Sequence, residues 1–90
     1  MREIAKERLS KTADGQALID LIELCGGRGA FLRITGFPPY QLDNWYARGL
    51  VSQEAATQIA RMDWFKERGI TRSAIRPGLT EHQWRIPANG

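Results

Sequence analysis

Glycine and proline constrain this chain more than any other residues in it. Gly26-Gly27, Gly36, Pro38-Pro39, Gly49, Gly69 and Pro77 divide it into short stretches. Glycine supplies the left-handed conformation that closes a helix, and proline cannot continue one from within. Between these breaks the apolar residues recur with helical spacing. Leu18, Leu21, Ile22 and Cys25 stand at i, i+3, i+4 and i+7; Phe31 pairs with Thr35, and Leu42 with Trp45. No stretch alternates in the manner of a strand. The expectation is an all-α fold, a compact bundle of about five helices.

Their limits follow from capping and stop signals. Asp14 is a possible N-cap for a helix ending at Gly26-Gly27. A short helix runs from Arg28 or Gly29 to Thr35 and stops at Gly36. A third begins at Pro39, which suits the first helical position because that N–H has no intrahelical partner, and it ends at Gly49. Ser52 caps a fourth, with Glu54 in its first turn and Ala56, Ile59 and Met62 as its inner stripe; Gly69 closes it. Thr71 caps one helical turn before Pro77, with Ile70 packing on Ile75. Residues 1–13 form an arm or short helix, with Ile4, Ala5 and Leu9 on one side. Residues 14–79 form the domain proper. Residues 80–90 form a tail whose beginning packs through Leu79, Trp84 and Ile86 and whose end frays.

Composition narrows the function. At 90 residues the chain has one core. Its 42% apolar and 26% charged content is that of a globular protein. It holds no apolar run of the length a signal peptide or membrane span needs, so a soluble, cytoplasmic protein is expected. Cys25 and His82 are the sole cysteine and histidine. They supply neither an internal disulfide nor a four-ligand metal site. No nucleophile, base and orienting group can be assembled. The expectation is no enzyme, no catalytic residue, no cofactor, no metal and no small-molecule ligand. Gly26-Gly27-Arg28-Gly29 can form a phosphate-binding nest, but it lacks the lysine-serine ending of a P-loop and reads better as a helix stop and turn.

The net charge is +3. It is unevenly placed. Up to Gly27, four basic residues face five acidic ones; from Arg28 to Leu50, Arg28, Arg33 and Arg48 face Asp43 alone. The basic bias therefore begins with the second and third helices, where an anionic partner would meet it.

Those two helices, joined by a turn of about three residues, have the spacing of a helix-turn-helix. The segment GGRGAFLRITGFPPYQLDNWYARG resembles the helix-turn-helix of small phage Cro repressors and of the related YdaS-like antitoxin repressors. The resemblance rests on Gly26-Gly27 before the motif, Gly36 at its turn, Trp45 near the end of the second helix and Arg48-Gly49 after it. Ile70-Thr71-Arg72 and Ile75-Arg76-Pro77 match a later element. It spans Ala17 to Leu79. It implies a lambda-repressor-like fold and a sequence-specific transcriptional regulator, phage- or prophage-encoded, bound as a homodimer to a double-stranded DNA operator.

By that resemblance the helix over residues 39–48 enters the major groove. Pro39, Tyr40 and Asn44 face bases, with Gln41 and Asp43 as neighbouring base contacts, while Arg28 meets phosphate; apart from the resemblance, Arg33 and Arg48 are expected as further phosphate contacts by their charge. Each assignment has a plainer alternative: a surface tyrosine on the Pro-Pro corner, a solvated asparagine, arginines that only solubilise a helix. The chain departs from the family pattern at Leu32, where alanine is usual, at Pro38-Pro39, where a hydroxyl cap and a glutamine are usual, and at Asp43, whose charge opposes phosphate. The competing function is a protein-protein interaction module on the same fold, using an exposed surface of Phe37, Tyr40 and Tyr46. Arg72 and Arg76 are expected in surface ion pairs, and Cys25 and Trp45 in the core.

Overall fold

The computed structural model describes residues 3–85. The side chains of Ile4 and Ala5, Ile86 as a packing residue and the fraying of the last few residues lie outside what is described. The described residues are all-helical: α1 Glu3–Leu9, α2 Ala13–Cys25, α3 Arg28–Thr35, α4 Pro39–Arg48, α5 Gln53–Arg61, α6 Asp63–Lys66, α7 Arg72–Ile75 and α8 Glu81–Arg85. That is eight helices among the described residues rather than about five. The additions are short: the first segment is helical, the fourth expected helix is two, and the tail contains one.

α2 packs against α1, α3 and α7 and buries Leu18, Ile19, Leu21 and Ile22. Its N-cap is Thr12, whose hydroxyl accepts from the Gly15 N–H at 2.9 Å, and not Asp14. Asp14 instead lies inside the first turn and accepts from the Gly78 N–H at 2.8 Å. α1 lies against α2 so closely that a Cβ on Gly15 would stand 2.0 Å from the Leu9 carbonyl oxygen. Leu9 is thereby buried, and Lys6 reaches Glu23 at 2.8 Å across the same pair of helices.

The fourth expected helix breaks at Met62, where the backbone turns extended at φ −73°, ψ 133°. The reason lies in the helical period. In an unbroken helix Phe65 would stand about 120° round from Ile59 and leave the buried stripe of Ala55, Ala56 and Ile59. The break instead places Phe65 wholly inside the core, with Trp64 partly buried beside it. The Arg68 guanidinium covers the Trp64 ring at 3.7 Å.

α7 has the expected Thr71 cap, whose hydroxyl accepts from the Ala74 N–H at 3.2 Å. α8 opens on a reciprocal cap: Thr80 Oγ1 accepts from the Gln83 N–H, and Gln83 Oε1 accepts from the Thr80 N–H at 2.7 Å. This cap directs Trp84 into the core, where Arg72 stacks on it at 4.6 Å. Arg72 and Arg76 thus bind within the molecule, Arg72 to an aromatic ring and Arg76 to Asp14 and the Val51 carbonyl.

Candidate functional site

α3 and α4 are joined by Gly36, Phe37 and Pro38, with Gly36 in the left-handed region at φ 77°. Thr35 fastens this turn. Its hydroxyl donates to the Phe31 carbonyl at 2.9 Å and accepts from the Phe37 N–H at 3.3 Å. Pro38 is extended and offers α4 no side-chain cap, so Pro39 begins the helix without one.

Three rings hold the pair together. Phe31, Phe37 and Trp45 lie with centroids 5.6 to 6.2 Å apart, Trp45 edge-on to both phenyl rings. α3 and α4 thus meet through these side chains. Leu32, where the resemblance expects alanine, is partly buried against the core.

Burial of Leu42 and Trp45 fixes which face α4 turns outward. Tyr40, Asp43, Asn44 and Ala47, at i, i+3, i+4 and i+7, form one exposed stripe on the opposite side. Tyr40 is the most prominent, at 68% exposed. Pro39 is exposed at the start of the helix. Gln41 is half-buried and, about 100° round from Tyr40, lies off this stripe. Ala47 was absent from the expected contacts, although its spacing from Tyr40 marks it as a member of the same face.

The three arginines assigned to phosphate are all exposed but differently placed. Arg28, at the start of α3, donates from Nη1 to Asp43 Oδ1 at 2.6 Å. This bond raises the guanidinium's affinity for its proton. Two residues assigned to separate tasks are therefore partners. Arg33 lies nearly opposite Phe31 on α3, facing away from the ring cluster. Arg48 lines an open groove of about 280 Å³ at the end of α4, together with Arg8, Leu9, Thr12 and Asp14. In the same region Arg8 donates to the Tyr46 carbonyl at 2.5 Å, occupying one of the unpaired acceptors at the helix end.

The aromatic surface of the competing reading is not assembled. Phe37 packs against Phe31 and Trp45, and Tyr46 is half-buried with its hydroxyl enclosed. Burial raises the Tyr46 pKa; the Arg28 charge lowers it and the Asp43 charge raises it further. Of the three rings only Tyr40 is exposed.

Elsewhere, no cluster of three metal-ligating residues and no helix long and apolar enough to cross a membrane occurs among the described residues. His82 is exposed on α8. Burial pushes the Cys25 thiol up to about 11, with Arg68 acting in the opposite direction. A thiol held so far into its protonated form is a poor nucleophile at neutral pH.

Comparison with protein-family models, with curated proteins and with solved structures finds no match for this chain.

Proposed function

We propose that this chain is a sequence-specific double-stranded DNA-binding transcriptional regulator of the phage or prophage Cro-like repressor type. α3 and α4 act as a helix-turn-helix, and α4 enters the major groove. The observation that carries this reading is the outward stripe of Tyr40, Asp43, Asn44 and Ala47, held away from the core by Leu42 and Trp45. The length of α4, 10 residues, spans about 15 Å, enough for a polar helical face to touch several successive base pairs. The stripe offers a carboxylate, a carboxamide and a methyl group, chemically distinct readers of base edges.

The protein works in the cytoplasm as a homodimer on a two-fold operator. Its two α4 helices then meet successive major grooves about 34–36 Å apart. Selection of bound fragments from random duplex DNA, followed by binding measurements from 50 to 200 mM salt, tests the proposal. A single enriched site and a fall in affinity of about 10³ or more, as about six phosphate contacts require, support it. Absence of an enriched sequence, with weak binding insensitive to salt, refutes it.

A further inference from the structure

We propose that Arg28 and Asp43 act as one base-reading unit, in which Arg28 holds and neutralises the carboxylate while Asp43 accepts a hydrogen bond from the amino group of cytosine. The proposal rests on the DNA-binding reading above and deepens it. The contact joins the first turn of α3 to the outward stripe of α4, Nη1 to Oδ1 at 2.6 Å. It therefore fixes an acceptor at the surface the duplex would meet.

An unpaired carboxylate there would be repelled by the phosphates. A guanidinium at hydrogen-bond distance cancels that charge locally, and the Nη1–Oδ1 bond takes one of the roughly four acceptor sites a carboxylate has. Acceptor capacity remains. In the major groove cytosine presents an amino donor, whereas adenine places its amino group beside the N7 lone pair, which an acceptor-only carboxylate opposes. Arg28 is thus a positioning residue, and the pair adds no net charge to the interface.

The test combines selection from random duplexes with affinity measurements on the full chain and on Asp43→Asn, Asp43→Ala, Arg28→Ala and Arg28→Ala/Asp43→Ala variants, each checked by thermal unfolding. The native chain should enrich cytosine at one position. Asp43→Asn should lose that preference, because the amide no longer presents an acceptor-only group, and should strengthen binding to every duplex, because the Arg28 charge is no longer neutralised. Arg28→Ala should weaken binding to every duplex, and adding Asp43→Ala should restore non-specific affinity and the native salt slope.

Two results overturn the inference while leaving DNA binding intact. In one, Asp43→Asn leaves base preference unchanged. In the other, Arg28→Ala lowers the salt slope by about one contact whether or not Asp43 is present, the mark of a direct phosphate ligand. Native protein that binds no duplex removes the DNA-binding reading and this inference together.

Discussion

Arg76 and Asp14 join the end of α7 to the start of α2, with Nε 3.4 Å from Oδ2 and side chains only 11% and 17% exposed. The spacing is that of an ion pair rather than an aligned hydrogen bond. Around it, Arg76 Nη1 donates to the Val51 carbonyl at 2.8 Å, and the Gly78 N–H donates to Asp14 Oδ1. One guanidinium thus ties three segments together. Asp14→Ala should cost about 1.5–3 kcal/mol, since it removes charge-assisted hydrogen bonding and leaves Arg76 largely enclosed. Denaturant unfolding of both single variants and the double variant checks this. A coupling energy near zero between Asp14 and Arg76 would show that the contact contributes nothing to stability.

Gly15 has no room for a side chain. An added Cβ meets the Leu9 carbonyl oxygen at 2.0 Å and Thr12 Oγ1 at 2.9 Å, and the first of these is backbone. Gly15→Ala should therefore lift α1 from α2 and destabilise the fold by about 1–3 kcal/mol, although alanine is the better helix former. Hydrogen exchange should show α1 losing protection before α2 does. An unchanged exchange pattern with unchanged stability would mean the helices do not pack this closely.

These two positions mark where the sequence was legible and where it was not. Gly26, Gly36, Gly49 and Thr71 act locally, on their own or adjacent turns, so the limits of α3, α4 and α7 could be read directly. Thr12 also acts locally but lost to Asp14, an equally good cap in the abstract that was drawn off by Arg76 from the far end of the domain. Thr80 and Gln83 carry the spacing of a capping box, so the start of α8 is marked in the sequence by a local signal. The outward face of α4 followed from Leu42 and Trp45. The pairing of Arg28 with Asp43 did not, because it depends on how two helices are set against one another, and periodicity within each helix is silent on that.

Cys25 offers a readout of the core beside α2. Its thiol is raised from an ordinary value of 9.0 to about 11, chiefly by burial. A raised folded-state pKa means that its contribution is fully present below about pH 9 and is lost as pH climbs towards 11. Stability should accordingly decline across that window, and Cys25→Ser should flatten the decline. At pH 8 a chromogenic disulfide should react with the native thiol about ten- to a hundredfold more slowly than with the unfolded chain, following the smaller thiolate fraction. Equal rates for native and unfolded protein would contradict the burial.

Trp45 is the keystone of the ring cluster between α3 and α4, buried and edge-on to Phe31 at 6.0 Å and to Phe37 at 5.6 Å. Trp45→Ala should cost about 3–5 kcal/mol, a large part of the stability of a domain this small. Any loss of DNA affinity should follow the loss of fold. A variant with an unchanged thermal midpoint and no affinity would place Trp45 at the interface instead.

Asn44 tests the proposed DNA reading most directly, because it is exposed and shares the outward stripe with Tyr40 and Ala47. An exposed residue of this kind should leave stability within about 0.5 kcal/mol when changed to alanine, so the thermal midpoint separates it cleanly from Trp45. A carboxamide can hydrogen-bond adenine at both N6 and N7, whereas alanine offers neither contact. Asn44→Ala should then cost about 1–3 kcal/mol on the selected operator and relax the preference at a single base position, with non-specific affinity nearly intact. An equal loss on operator and random DNA, with the fold unchanged, would mark Asn44 as a phosphate contact. No loss on either would take it out of the interface and turn the weight of base recognition onto Tyr40 and Asp43.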